Sequence, residues 1–267
     1  MIYREPPAED DTDEQAGVSG HRLQAPNTRI RYTAAVSLRT DPAVAAAIAL
    51  GPLQALSPST LDRLLANAMT LDVPRGVVDQ TQGSSDIHAG LLVSGLLRAF
   101  RTTGDGRQLT LRYVRAGGLL AFASVHVRRP GSLDQQALTP CRVLRFHPDA
   151  IVEMTRRDID VANVIAEENA RRVFDYIDLV AGISFGSMRQ RLVRHLLDLA
   201  ASDQRRATPM VARLSQQALA DAVGCVREVV VRLLRELREE GLVRTGRDEI
   251  ELLQPDRLHA ETFPRED

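Results

Sequence analysis

The chain contains no lysine and no tryptophan, two cysteines, and only 4% aromatic residues. Each shortage excludes something. The two cysteines, Cys141 and Cys225, lie far apart, so they make no CxxC pair, no zinc set and no disulfide framework. An iron–sulfur cluster needs several cysteines and is excluded with them. Without tryptophan, the cores must be built from aliphatic side chains, and 44% hydrophobic residues in 267 supply enough for one large or two ordinary domains. No apolar run is long enough to span a bilayer, and no N-terminal segment resembles a signal peptide, so a cytoplasmic protein is expected. All 34 basic residues are arginine, a usage that fits a GC-rich genome better than a mechanism. The net charge of −1 excludes a uniformly basic nucleic-acid binder, but the charge is uneven. Residues 5–14 are acidic without a base, whereas 188–256 hold a slight excess of arginine. Specific DNA binding needs only a local basic face.

The stretch from Leu214 to Glu240 organises the rest. Ser215 is placed to cap a helix through its hydroxyl. Ala218, Leu219, Ala222 and Val223 then repeat at helical spacing, and Gly224 ends the run. A second helix carries Val226, Val230, Leu233, Leu234 and Leu237 on one face and Arg227, Glu228, Arg232 and Arg235 on the other. A short helix, a glycine turn and an arginine-bearing helix predict a helix-turn-helix. Leu242–Thr245, the turn at Gly246–Asp248 and Glu249–Leu253 predict a β-hairpin wing. An αα-hairpin packed for structure alone is the alternative.

Taken in order, residues 1–40 read as an acidic tail, expected to be disordered at least through Gly20. Residues 41–156 read as a sensor domain with flanking helices. Asp41–Leu50 is an alanine-rich helix, and Ser57 with Pro58 starts another that buries Leu61, Leu64, Leu65 and Ala68. From Val73 to Phe146, short β-branched segments alternate with turns, which predicts a small antiparallel barrel or jelly roll with strands at Leu91–Phe100, Gln108–Val114 and Cys141–Phe146. Residues 157–186 read as a long helix and hinge. Ala162, Ala166, Asn169, Val173, Tyr176, Val180 and Ile183 alternate four and three residues apart, a heptad seam that predicts a homodimer. A helix packed on its own barrel is the other reading. Gly186-Ser187 is the expected hinge, and residues 187–260 form the winged helix-turn-helix, entered through a polar loop at Ser202–Pro209.

In this order the chain resembles the CRP/FNR family of bacterial transcription regulators over roughly Leu53–Leu258. The front of the resemblance lies in PLQALSPSTLDRLLANAMTLDVPRG and LLVSGLLRAFRTTGDGRQLTLRYVRAGG. The more specific back lies in Val223-Gly224-Cys225, Arg227-Glu228, Arg232 and LLQPDRL. The resemblance implies an α+β chain: an N-terminal cyclic-nucleotide-binding-like β jelly roll, a long dimerisation helix and a C-terminal winged helix-turn-helix. It implies no enzyme, and no nucleophile elbow, P-loop or dinucleotide fingerprint is present. It implies that Arg227, Glu228 and Arg232 read bases in a palindrome with half-sites like TGTGA. Arginine can bond guanine bidentately, glutamate can accept from cytosine, and Val229 can touch a thymine methyl. Arg213, Ser215, Gln216 and Gln217 are the expected phosphate contacts. Arg205–Arg213 corresponds to a family segment that touches RNA polymerase.

The sensor departs from the family pattern. Cyclic AMP binders carry a Gly-Glu-Leu and, about ten residues on, an Arg-Ser or Arg-Thr. Here these align with Ala121-Phe122-Ala123 and Gly131-Ser132, so both charged groups are missing. Cyclic AMP is therefore not expected in the usual way, and no cofactor is assigned. Arg128 and Arg129, with Ser132 and Tyr176, are the candidate effector residues for an acidic or phosphorylated ligand, against a solvated loop tip. Haem through His88, His126, His147 or Cys141 is a minor alternative, since their spacing matches no metal motif.

Overall fold

The computed structural model describes residues 31–33, 38–66, 68–84, 88–200 and 209–262. The expected tail up to residue 30 and the loop at 201–208 lie outside them. Two antiparallel sheets form the front of the molecule. The first is ordered β1 (Arg31–Thr33), β2 (Met69–Val73), β9 (Cys141–Phe146), β4 (Ala89–Ser94), β7 (Leu119–Leu120). The second is ordered β3 (Val78–Gln80), β8 (Asp134–Ala137), β5 (Leu97–Thr102), β6 (Gln108–Val114). Leu71, Leu92 and Val143 of the first sheet pack against Leu97, Val114 and Ala137 of the second. The core is aliphatic, as the composition requires, with one edge-on aromatic pair, Phe122 and Phe146, 6.1 Å apart.

The first sheet is covered on both faces, which is why β4 is buried from Ala89 to Val93 without alternation. Its outer face meets α1 (Pro42–Leu50) and α2 (Pro58–Leu65), where Leu91, Leu144 and Phe146 pack with Val44, Ala47 and Leu64. Asp41 caps α1 at 2.8 Å from the Ala43 amide and pairs with Arg142 at 2.8 Å, so one carboxylate orients the helix and ties it to β9. Ser57 caps α2 through the Thr60 amide, as its position before Pro58 predicts.

Two expectations are corrected here, and two further helices are added. The tail does not extend to residue 40, because β1 pairs in register with β2 and a 3-10 turn spans Leu38–Thr40. The strand expected at Leu91–Phe100 is two strands in different sheets, broken at Gly95, whose φ of +93° turns the chain. A Cβ there would sit 2.4 Å from the Pro140 carbonyl. A helix, α3 (Phe122–Val127), occupies the loop before β8, where the sequence shows no helical signal. The helix expected from about Arg157 forms as α5 (Ile159–Ser184), and a further helix, α4 (Pro148–Arg157), precedes it, divided from it at Asp158. Asp158 accepts from the Asp160 amide at 3.1 Å, from Thr60 at 2.9 Å and from Arg63 at 2.5 Å. These hydrogen bonds hold its carboxyl below the usual range.

The back of the molecule has its own core. It contains α6 (Met188–Ala200), α7 (Gln216–Val223), α8 (Arg227–Glu239) and α9 (Pro255–Glu261) around a sheet ordered β10 (Met210–Ala212), β12 (Ile250–Leu252), β11 (Val243–Thr245). Leu192, Leu196, Leu219, Val230, Leu234 and Leu237 are its centre. Arg189 gathers Glu240 at 2.6 Å and Glu261 at 3.0 Å, fixing the end of α8 and α9 to the start of α6. Leu96, Tyr113 and Leu138 of the barrel pack onto this same core, so the two parts are docked.

Candidate nucleic-acid interface and effector cavity

The hairpin of α7 and α8 follows from local chemistry. The Ser215 hydroxyl accepts from the Ala218 amide at 3.1 Å. Gly224 adopts φ +78°, and its amide and that of Cys225 both close onto the Ala220 carbonyl, at 2.9 and 3.0 Å. The chain then enters α8 with Glu228 in its first turn, where a negative charge suits the helix dipole. Val230, Leu233, Leu234 and Leu237 are buried at a spacing of three and four, which fixes the rotation of α8. That rotation leaves Arg227, Glu228, Val231, Arg232 and Arg235 on the free face. Arg232 and Arg235 stand one turn before Glu236 and Glu239, at 3.8 and 2.8 Å. Val229 does not belong with them. It is two residues from Arg227, about 200° round the helix, and packs against the core. The exposed apolar positions are Val231, 43% exposed, and Val226 at the helix cap, 62% exposed.

The wing forms as expected, with Val243 opposite Leu252 and Arg244 paired to Glu251 at 2.8 Å. A third strand, β10, adds to it and carries the chain into α7. A cleft of about 410 Å³ lies between the start of α7, the start of α8 and the wing. Ser215, Gln216, Gln217 and Arg227 line one side and Thr245–Glu249 the other. Three of the four expected phosphate residues therefore stand at one cleft with Arg227. Arg213 does not; it lines a separate cleft between barrel and DNA-binding part, beside Ser94, Thr139 and Leu199. It lies in the short connection between β10 and the α7 cap.

The second site is a cavity of about 380 Å³ between the barrel and α5. Ala121, Ala123, Gly131 and Ser132 line it from the α3 segment and the loop after it, and Tyr176 from the helix. Arg128 and Arg129 do not. They line another surface cleft with Pro148 and Asp149, and Arg128 reaches Asp149 at 3.9 Å with both side chains exposed. The left-handed conformation of Arg128 at the end of α3 turns this pair away. The cavity's two cations are residues the sequence reading did not select, Arg112 of β6 and Arg172 of α5. An arginine in an antiparallel strand and one inside a helix give no signal until the fold brings them together.

Of the expected seam, Asn169, Val173 and Tyr176 line the cavity, while Val173 and Val180 are exposed beside Phe174 and Ile177. Phe174 is 67% exposed and, just past the helix end, Phe185 is 81% exposed. Of the histidines considered for haem, His126 is bonded at both ring nitrogens, to the Phe122 carbonyl and to Thr155, each at 2.9 Å. Cys141 is buried, its thiol directed at the Leu96 and Thr139 carbonyls, and burial pushes it up.

Comparison with known proteins agrees with this architecture. Residues 73–158 match the cyclic nucleotide-binding domain and residues 190–261 the Crp-like helix-turn-helix domain. The transcriptional regulator LdrP of Thermus thermophilus is 29% identical over 170 residues, 61% of this chain and 80% of that protein. A CRP-like cAMP-activated global transcriptional regulator of Mycobacterium tuberculosis is 22% identical over 211 residues, 78% of this chain and 94% of that one. The solved structure of a CRP-family transcriptional regulator, also from Thermus thermophilus, superposes with a TM-score of 0.61 at 26% identity, covering 72% of this chain and 95% of the other. With both matched domains in this order, together spanning more than half of the sequence, the chain belongs to the CRP/FNR family of DNA-binding transcription regulators.

Proposed function

We propose that the protein acts as a homodimer that reads a two-fold palindrome, one recognition helix α8 per half-site. The observation that carries this reading is the free face of α8, where Arg227, Glu228, Val231 and Arg232 stand together above a buried apolar half. In this reading Arg227, Glu228 and Arg232 contact base edges, Ser215, Gln216 and Gln217 contact phosphates from the adjoining cleft, and half-sites like TGTGA lie about one helical turn apart. Val231 rather than Val229 takes the thymine-methyl contact. The exposed stripe Val173, Phe174, Ile177 and Val180 supports the dimer, since a row of large apolar groups on a helix 26 residues long is costly to leave in water. Contact of the segment Arg205–Arg213 with RNA polymerase belongs to the same reading; residues 205–208 lie outside the described ones.

Cyclic AMP is not the controlling ligand in its usual pose, because Ala121, Ala123, Gly131 and Ser132 stand where a ribose acceptor and a phosphate-binding arginine are needed. A second reading, that DNA binding depends on another effector, draws support from the 380 Å³ cavity beside the dimer helix. Haem draws none from His126, whose ring is fully engaged.

Fluorescence anisotropy on a TGTGA-type palindrome at fixed salt tests the reading. Wild type is expected to prefer the palindrome over random DNA, and Arg227→Ala and Arg232→Ala each to lose about 1–3 kcal/mol of that preference. Equal preference in wild type and both variants would remove the assignment.

A further inference from the structure

The junction between the barrel and the DNA-binding part closes around one histidine, and its polar groups are poorly satisfied. His195 of α6 is 8% exposed and Arg98 of β5 is 5% exposed, and the Tyr113 hydroxyl of β6 lies 3.4 Å from the His195 Nδ1. Among the described residues, four side-chain polar atoms are sealed from solvent without a hydrogen-bond partner. Three of them belong to this junction: Arg98 Nη2 and Arg191 Nε beside the ring, and Arg115 Nε, whose guanidinium reaches the Asp198 carbonyl of α6. Buried donors rarely keep such a state, because water would satisfy them. The two parts also have separate cores. The barrel gives the back core only Leu96, Tyr113 and Leu138, each partly buried. The charges acting on the ring are all positive: Arg98 first, then Arg194 and Arg191 of α6. The nearby carboxylates answer the arginines instead, Asp221 of α7 acting on Arg98, and Asp198 on Arg194 and Arg115. To the pocket beside the ring, α5 and the end of α9 bring only Leu179, Gly182, Ile183 and Thr262.

We infer that this junction is an acid-released latch: a proton on His195 undocks the DNA-binding part from the barrel and leaves each part folded. A neutral imidazole can accept the Tyr113 hydroxyl at Nδ1, whereas an imidazolium donates from both nitrogens and accepts nothing. It also adds a fourth cation beside three guanidinium groups, with no carboxylate acting on it and little water. In the docked state burial, and then those three charges, push the ring from 6.5 down to about 4; once released into water it returns towards 6.5. The released state therefore binds the proton more tightly. Docking keeps its full support above about pH 6.5 and loses it as pH falls, so the ratio of released to docked chains is expected to rise about tenfold between about pH 7.5 and about pH 5.5. Asp198 works the other way, since burial raises its carboxyl and a proton there favours the docked state. Because α7 rests on β6 in the docked state, release would free the direction in which α8 is presented. That consequence rests on the proposed reading of DNA, and the latch itself does not.

The experiment is small-angle X-ray scattering of the full chain from about pH 7.5 to about pH 5.5 at fixed salt, with far-UV circular dichroism on the same samples. Wild type is expected to expand as pH falls, while its forward scattering, which reads mass, and its helix content stay constant. His195→Gln cannot titrate and is expected to keep the compact radius throughout; it also controls for every other group that takes up a proton. Where His195→Gln does not dock at all, Arg191→Gln decides, since its Nε has no partner to lose. With one cation fewer beside the ring, it is expected to expand only at lower pH than wild type. The inference is overturned if wild type keeps one radius, or if His195→Gln expands as wild type does. It is also overturned if expansion comes with loss of helix or a change of mass, or if the midpoint of Arg191→Gln does not move. Anisotropy on the palindrome with the same preparations reads the DNA-binding assignment separately, so either conclusion can fail alone.

Discussion

The Tyr113 hydroxyl lies 3.4 Å from Nδ1 of His195, with the two rings edge to face at 5.9 Å, and this contact joins the sensor barrel to the first helix of the DNA-binding part. Around it, Arg98 donates to Thr110 at 2.6 Å, and Arg115 donates to the Asp198 carbonyl. Burial, then the charges of Arg98, Arg194 and Arg191, push His195 down to about 4, while burial holds Tyr113 protonated. Neutral histidine is therefore built into the domain interface.

That sets the sign of a pH dependence. The folded His195 resists a proton that the unfolded chain accepts near pH 6.5. Above that value both states are neutral and the contribution to stability is complete; below it, the unfolded state gains the proton and stability falls towards the folded value. Denaturant unfolding is expected to show a loss of about 2 kcal/mol between about pH 7 and about pH 5, and His195→Gln is expected to flatten that slope. An unchanged slope in the variant would place the titration elsewhere.

Two valines two positions apart on α8 should behave oppositely. Val229 packs against the core, so Val229→Ser is expected to cost about 1 kcal/mol in urea unfolding. Val231 faces outward, so Val231→Ser is expected to leave stability within about 0.5 kcal/mol while weakening binding to the palindrome. The pair thus separates folding from recognition on a single helix.

Charge placed on the exposed stripe should separate the copies. Ile177→Asp and Phe174→Asp each put a carboxylate where the apolar row would be covered. Analytical ultracentrifugation is expected to find wild type dimeric at micromolar concentration and each variant with dimer affinity at least tenfold weaker. A wild type that stays monomeric would leave the stripe without the proposed partner.

The cap of α7 can be tested by a single atom. Ser215→Ala removes the acceptor of the Ala218 amide and is expected to lower stability by about 1 kcal/mol. Ser215→Asp restores an acceptor and should recover most of the loss in unfolding, yet weaken DNA binding, because in the proposed complex a carboxylate in that cleft would face phosphate.

The helix-turn-helix was legible because its instructions are local. Ser215, Gly224 and the spacing of Val230, Leu233, Leu234 and Leu237 act within a few residues of themselves, and they fix both helices and the face that α8 leaves free. The wing, the cap at Ser57 and the aliphatic make-up of the barrel were legible for the same reason, whereas the capping role of Asp41 was not read. Periodicity marks α5 as well, but not which of its faces is covered: Asn169 and Tyr176 fit a heptad equally well whether they meet a second copy or the barrel.

The sequence alone therefore determined the order of the parts, the exposed placement of Arg227, Glu228 and Arg232 on α8, and the absence of charged groups at 121–123 and 131–132. Only the tertiary structure decided what stands in the cavity instead. Arg112 and Arg172 are 60 positions apart, and nothing in either neighbourhood marks them; they meet because β6 and α5 converge on the Leu119 carbonyl. The same holds for Tyr113 and His195, and for Arg128 and Arg129, which adjoin the cavity in sequence but are turned away from it by the left-handed end of α3. Capping and periodicity are read by near neighbours along the chain, whereas a buried charge is placed by the packing of elements distant in sequence.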